Sequence, residues 1–276
     1  MHSFVSIESF KNLIPKYNTF FFDLWGTIYD GNTIFPSFTV ILNELRRNSK
    51  TVKFLSNSPR LSKVSWARLA DCGLEVDVHE ITTSGEYFAY LLATSDYGSR
   101  KFFLVGDDET VLDGLGVNVV SSISDADYLL IALCLQTRSL GKWEHIIKDA
   151  VLKGVPAVCV NPDLEVLHGR EKVYTPGYFA MEYKNLGGEV IYFGKPYKDI
   201  YDFVLSGCDS LRNVLAVGDS IMTDIKGACN AKIDSLWVLG DGIHKEVKVS
   251  DKMQILSLCQ QYKCYPRYIM DKLKLD

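Results

Sequence analysis

"FFFDLWGTIYDG", residues 20–31, runs three aromatic residues into Asp23 and then turns through Gly26 and Thr27. A run that is apolar at consecutive positions suits a strand covered on both faces. Aspartate after a strand is often only a helix cap, so this stretch alone leaves two readings. Asp23 is a functional carboxylate, or an apolar strand happens to end in an acid.

The neighbouring sequence favours many such strands. Short β-branched or aromatic runs occur at 18–24, 51–56, 101–106, 127–133, 155–160, 189–194, 213–218 and 234–240, several of them apolar on consecutive positions. Helical patterns lie between them. "SFTVILNELRRN" follows Pro36, "SKVSWARLADCG" runs from a capping serine to Gly73, "LGKWEHIIKDAVLKG" ends at Gly154, and "TDIKGACNA" follows a loop. This alternation with short connections predicts an α/β fold, a Rossmann-like doubly wound and largely parallel sheet. No Pro/Gly-rich linker or repeat interrupts it, so a second domain must be an insertion.

Bulk properties exclude several classes of function. The chain has 276 residues, a net charge of −4 and no basic run, which argues against nucleic acid or an anionic membrane surface as partner. The longest apolar run, 128–135, is too short to span a bilayer, and no apolar stretch follows a basic start. Seven cysteines, at 72, 134, 159, 208, 229, 259 and 264, are scattered and without a CxxC pair. They read as free thiols in a reducing compartment, so a cytoplasmic protein is expected.

In an open parallel sheet, functional groups gather where strands end at their carboxyl edge. Here the ends deliver Asp23, then Ser56 and Asn57 in "FLSNS", Lys195 in "IYFGKP", and Asp219 with Asp224 in "VLAVGDSIMTD". Clustered carboxylates repel unless a hard, oxygen-seeking ion such as Mg²⁺ lies between them. A lysine and a hydroxyl can then balance phosphoryl oxygens. The set suits a phosphoryl group and a divalent cation.

These motifs, in this order, resemble those of the haloacid dehalogenase-like hydrolases. The motifs fall in residues 1–82 and 189–276, which implies a catalytic core interrupted by an inserted α/β cap at 83–188, of the C2 type. That placement, with "NSPR", "TTSGEYFAYLL" and "VNPDLE", resembles subclass IIA, the pyridoxal-phosphate and 4-nitrophenyl phosphatase-like branch. The resemblance implies a phosphatase acting on a small phosphorylated metabolite. Asp23 attacks phosphorus to form an aspartyl-phosphate. Asp23, Asp219 and the backbone carbonyl of Trp25 hold Mg²⁺. Ser56, the Asn57 backbone and Lys195 hold the phosphoryl oxygens, Asp224 supports them, and Gly26 and Thr27 complete the first motif. It also implies a homodimer formed through the cap.

The chain departs from the family at Trp25. Phosphatases of this family usually carry there an aspartate that protonates the leaving oxygen and then activates water, and an indole can do neither. The Asp-x-Trp-Gly form resembles that of one branch of subclass IIA. Three readings stand: the indole stacks on a ring-bearing substrate, it fills a weakened site, or another acid serves, Asp30 being nearest in sequence. A hydrolase with narrowed substrates is expected, the alternative being a catalytically weak or inactive phosphate-binding sensor.

Other signals carry less. Asp107 and Asp108 follow a strand but lack the Thr-Asp of the fourth motif, so helix capping is expected. "GLGVNV" has no third glycine and is not a dinucleotide fingerprint. His79, His145, His168 and His244 show no paired metal spacing, and Trp143 with Ile146 and Ile147 reads as a core face. In "VNPDLEVLHGR", Asn161 and Asp163 are either substrate contacts from the cap or a plain Asn-Pro turn. "YPRYIMDKLKLD" is expected to be a docked helix.

Overall fold

Phe20, Phe21 and Phe22 are at most 2% exposed and alternate between two cores. Phe20 and Phe22 pack with Phe10 and Phe38 on one face, Phe21 with Leu55 and Ala216 on the other. Their strand is the middle of a sheet in the computed structural model, which describes residues 4–133, 140–168, 171–206 and 213–276.

The N-terminal part supplies β1 (Val5–Ser6), β2 (Thr19–Phe22), β3 (Thr51–Ser56) and β4 (Ile81–Thr83). The middle supplies β5 (Lys101–Val105), β6 (Asn118–Val119), β7 (Tyr128–Ile131), β8 (Ala157–Cys159), β9 (Glu165–His168), β10 (Glu171–Tyr174) and β11 (Val190–Tyr192). The C-terminal part supplies β12 (Val214–Gly218), β13 (Asp234–Val238) and β14 (Tyr268–Met270). Eight α-helices intervene among the described residues: α1 (Pro36–Arg47), α2 (Ser62–Asp71), α3 (Ser84–Thr94), α4 (Glu144–Leu152), α5 (Pro176–Asn185), α6 (Lys198–Ser206), α7 (Lys226–Ala231) and α8 (Lys252–Tyr262).

The larger sheet has the order β1-β14-β13-β12-β2-β3-β4, with all pairs parallel. The chain travels outward from β2 through β3 to β4 in one direction and from β12 through β13 to β14 in the other. The strand order therefore reverses between β2 and β12, the place where open α/β sheets bind ligands. The α/β, Rossmann-like fold expected from the sequence is present.

A second parallel sheet has the order β11-β8-β7-β5-β6, and β9 pairs with β10 as an antiparallel ribbon. Helices α4 and α5 cover it through Ile147, Phe179 and Tyr183. One apolar cluster joins the two sheets, with Phe21 and Leu55 at one end and Phe102, Leu130 and Val158 at the other. The strand leading to Lys195, β11, hydrogen-bonds with β8 and so lies at the edge of the smaller sheet.

Local sequence explains the elements. Pro36 opens α1, which buries Phe38, Ile41, Leu42 and Leu45 at helical spacing and ends with Arg46 and Arg47 near the negative end of its dipole. The edge-on contact of Phe38 with Phe22, 5.1 Å between centroids, locks α1 onto β2. Ser62 does not cap α2: Leu61 is the N-cap, and Glu86 Oε2 accepts from the Ser62 N–H at 3.0 Å. Asp108 does cap, accepting from the Thr110 N–H of a 3₁₀ turn.

The expected C-terminal helix is instead β14, between β13 and β1. Tyr268, Ile269 and Met270 are β-favouring or apolar, and all are buried. Pro266 precedes them, and two neighbouring strands meet their backbone groups, which outweighs any weak helical periodicity. No helix among the described residues is long and apolar enough to cross a membrane. Cys72, Cys159, Cys229, Cys259 and Cys264 are free thiols, while Cys134 and Cys208 lie outside the described residues.

Candidate active site

Adjacent strands β12, β2 and β3 end side by side, so their register brings Asp219, Asp23 and Ser56 to one edge. The Asp23 N–H still donates to the Val217 carbonyl at 2.9 Å, which fixes where its side chain leaves the sheet. The chain then turns back at Gly26, whose N–H donates to Tyr29 O at 2.8 Å. Gly26 has φ +77°, and a Cβ there would fall 2.4 Å from Asp219 Oδ2. Both the left-handed backbone and the closeness of the acid require glycine. Thr27 Oγ1 is 3.4 Å from Asp23 Oδ2 and 3.5 Å from Asp219 Oδ1.

Lys195 joins the acids. Its Nζ donates to Asp23 Oδ1 at 2.6 Å and to Asp224 Oδ1 at 2.7 Å, and the residue is 3% exposed. Asn57 holds the lysine by its backbone: Oδ1 accepts from Lys195 N–H at 2.7 Å, and Nδ2 donates to Lys195 O at 3.0 Å. The same Nδ2 donates to Asp163 Oδ1 at 2.9 Å. The side chain of Asn57 thus links β3, the lysine and the loop after β8. Asp224 comes from a π-helical turn over Ile221–Ile225, and its Oδ2 accepts from the Ser220 N–H at 3.0 Å. Asp219 accepts from the Ile243 N–H at 2.6 Å, and Trp237 Nε1 donates to its carbonyl at 2.8 Å.

Charge in this buried cluster is unbalanced. Oxygens of Asp23, Asp219 and Asp224 lie within 4.8 Å of one another, against one ammonium. Burial raises the Asp23 carboxyl to about 7, with Lys195 opposing and Asp224 adding to the shift. Burial, with Asp23 and Asp224 nearby, lifts Asp219 well above the usual carboxylate range. Burial works against the Lys195 ammonium, but Asp224 and Asp23 outweigh it and hold the lysine well above its ordinary value. An oxygen-only donor set with surplus negative charge fits a hard divalent cation.

A cavity of about 530 Å³ opens over these groups. Of the residues singled out in the sequence, Asp23, Trp25, Ser56, Asn161, Asp163, Asp219 and Asp224 line it. Lys195 reaches Asp23 and Asp224 from beside the sheet, facing Phe21 and Tyr201. Asn161 and Asp163 form the turn, with Asn161 Oδ1 accepting from the Asp163 N–H at 3.1 Å, and both residues also line the cavity. Asp30 does not serve the site. Its Oδ1 accepts from the Asn32 and Thr33 N–H groups at 2.9 and 2.8 Å, away from the cavity.

Trp25 forms one wall. Its ring centroid is 5.0 Å from Tyr29 and 5.8 Å from His168, with the Arg68 guanidinium 5.9 Å away. Gly31, at φ +96°, lets the indole lie flat against the turn, since a Cβ there would fall 2.4 Å from its Cζ3. Arg60, Arg68 and His168 line the cavity without having been singled out for it. His168 arrives on the β9–β10 ribbon. Two four-residue runs of mixed polarity two residues apart were the available hairpin signal.

The sequence profile described as "Haloacid dehalogenase-like hydrolase" matches residues 20–118, and that described as "HAD-hydrolase-like" matches residues 192–274. A 4-nitrophenylphosphatase of Schizosaccharomyces pombe is 21% identical over 274 residues, 90% of this chain and 91% of that one. The crystal structure of a haloacid dehalogenase-like hydrolase from Brucella suis superposes with a TM-score of 0.80 at 25% identity, covering 97% of this chain and 99% of that one. A glycerol phosphate phosphatase from Mycobacterium tuberculosis, solved in complex with magnesium, superposes at 0.71 with 22% identity, covering 97% of this chain and 78% of that one. With both ends of the sequence matched and a whole-chain structural likeness between them, this chain belongs to the haloacid dehalogenase-like hydrolases.

Proposed function

We propose that the chain is a Mg²⁺-dependent phosphatase of small phosphorylated metabolites, working through an aspartyl-phosphate on Asp23. The observation that carries this reading is Lys195 bridging Asp23 and Asp224 beside Asp219 and Ser56 at one cavity. The relatives named as phosphatases support it, as does the magnesium in one of them.

Asp23 attacks phosphorus, and the bond to the leaving oxygen breaks. Lys195 favours the ionised form of Asp23 against burial and screens the charge of the phosphoryl group. Ser56, whose Oγ accepts from the Ser58 N–H at 3.2 Å, and the Asn57 backbone contact phosphoryl oxygens. Asp23, Asp219 and the Trp25 carbonyl would hold the cation, which supplies charge neutralisation on the transferring group. Asp224 fixes Lys195. The unit built on the smaller sheet, residues 83–188 with β11 at its edge, serves as the cap, and pairing of two chains would use it. The free thiols suit a reducing cytoplasm.

A second reading, a phosphate sensor without turnover, is favoured by Trp25, which replaces the residue expected to move the proton. The test is a screen of phosphorylated metabolites, acyl phosphates and aryl phosphates with Mg²⁺, beside Asp23→Asn. Hydrolysis lost in Asp23→Asn is the expected result. Binding without turnover in both proteins would leave the sensor. No turnover in the native chain, with turnover in Trp25→Asp, would identify a site disabled at that one position.

A further inference from the structure

Transfer of a phosphoryl group from an alkoxide needs a proton for the leaving oxygen, and Trp25 has none to give. The acids lining the described cavity fall into groups. Asp23, Asp219 and Asp224 form the cluster around Lys195. Asp107 pairs with Lys142, Asp108 with Arg60 at 2.5 Å, and Glu165 with Lys172 at 3.0 Å. Those three pairs are at least partly exposed to solvent. One carboxyl is left over, that of Asp163.

Asp163 sits between the two sheets, on the loop that leaves β8. Asn57 Nδ2 holds its Oδ1, and Thr223 lines the same cavity. Its backbone is anchored as well: its N–H donates to Asn161 Oδ1, and its carbonyl accepts from Thr175 Oγ1. The carboxyl is thereby aimed at the edge carrying Asp23 while keeping part of its surface open to the cavity.

Resting on the phosphatase reading above, we propose that Asp163 is the proton carrier of this chain, supplied by the smaller sheet in place of an acid at position 25. In the first step an Asp23 oxygen bonds to phosphorus, the bond from phosphorus to the leaving oxygen breaks, and that oxygen keeps the electron pair and takes the Asp163 proton. In the second, Asp163 carboxylate takes a proton from water as the water oxygen bonds to phosphorus. The bond from phosphorus to Asp23 then breaks, returning a free Asp23 carboxylate, a protonated Asp163 and inorganic phosphate. Burial raises the Asp163 carboxyl above its ordinary value, with Lys195 opposing and Asp224 adding to the shift, which favours a group that holds a proton between turnovers. The charged groups facing it are Lys195, Asp224, Asp23 and Asp219.

The experiment measures single-turnover phosphoryl transfer in the full chain with Mg²⁺, from 4-nitrophenyl phosphate and from an alkyl phosphate. Nitrophenolate leaves without help and an alkoxide does not. In Asp163→Asn, transfer from the alkyl ester should fall by about 10²-fold or more, while transfer from the nitrophenyl ester should change only about a few-fold. Asp163→Glu, which keeps a carboxyl, should recover part of the alkyl rate. An equal loss with both esters, or no loss with either, would overturn the assignment to Asp163 and leave the phosphatase reading intact. Failure of the native chain to transfer from either ester would overturn that reading and the assignment with it.

Discussion

Lys195 Nζ lies 2.6 Å from Asp23 Oδ1, although 172 residues separate the two in sequence. The lysine side chain is 4% exposed and that of Asp23 11%, so the pair is held in low dielectric, where the loss of either partner is felt strongly.

Replacing Lys195 by Met should therefore destabilise the metal-free chain by about 3–5 kcal/mol at pH 8, because Asp23 and Asp224 are left buried without their cation. At pH 5 the cost should be smaller, since the acids can take up protons instead. Urea unfolding of the native and variant chains at the two pH values reads the difference. An equal cost at both would mean that the lysine contributes by packing and not by charge.

Metal binding should release protons near neutrality. The Asp23 carboxyl is raised to about 7, so below that pH a proton must leave before the oxygen can take a cation. Mg²⁺ affinity should rise with pH through about 7, and the raised Asp219 carboxyl adds to the dependence. Calorimetry at pH 6.5 in buffers of different ionisation enthalpy should show proton release that is smaller at pH 9. The same shift makes the metal-free fold less stable as pH rises from the ordinary aspartate value towards 7, because there the folded state binds the proton more tightly than the unfolded chain. Mg²⁺ should accordingly raise Tm more at pH 8 than at pH 5.

His244 acts in the opposite sense. Burial pushes its imidazole down to about 4; its Nε2 has no hydrogen-bond partner among the described residues, and its ring meets Trp237 edge-on at 5.3 Å. The folded state binds this proton less tightly than the unfolded chain. Its contribution is therefore complete above pH 6.5 and is lost as pH falls towards 4, by at most about 3 kcal/mol. His244→Phe, which keeps the ring, should flatten the acid limb of the stability curve between those values. An unchanged acid limb would show that the imidazole does not titrate on unfolding.

Legibility in the sequence followed the length of the signal. The eight apolar runs all became strands, because a strand buried on both faces must be apolar at successive positions, as Phe20 to Phe22 are. Val5–Ser6 and Tyr268–Met270 were not readable: two or three residues carry no period, and pairing with neighbours distant in sequence makes them strands. The acids, the serine and the lysine were legible as strand ends, since chemistry and topology coincide there. His168 and Arg68 were not, because their meeting at Trp25 depends on how a ribbon and a helix distant in sequence fold over the first turn. Asn57 was read for its backbone, while its amide side chain proves to be the joint between Lys195 and Asp163.

The position of β11 has a bearing on how freely this scaffold can be recombined. Lys195 follows β11, and among the described strands β11 pairs only with β8, the strand whose loop carries Asp163. The lysine that serves the larger sheet is thus mounted on the smaller one, beside the loop that lines the cavity. A graft that exchanged residues 83–188 for the insertion of another chain would leave β11 behind without its native neighbour and would unseat Lys195 at the same stroke. The smaller sheet is not a detachable accessory here; lineages or engineers that remodel it must rebuild the β8–β11 seam along with it.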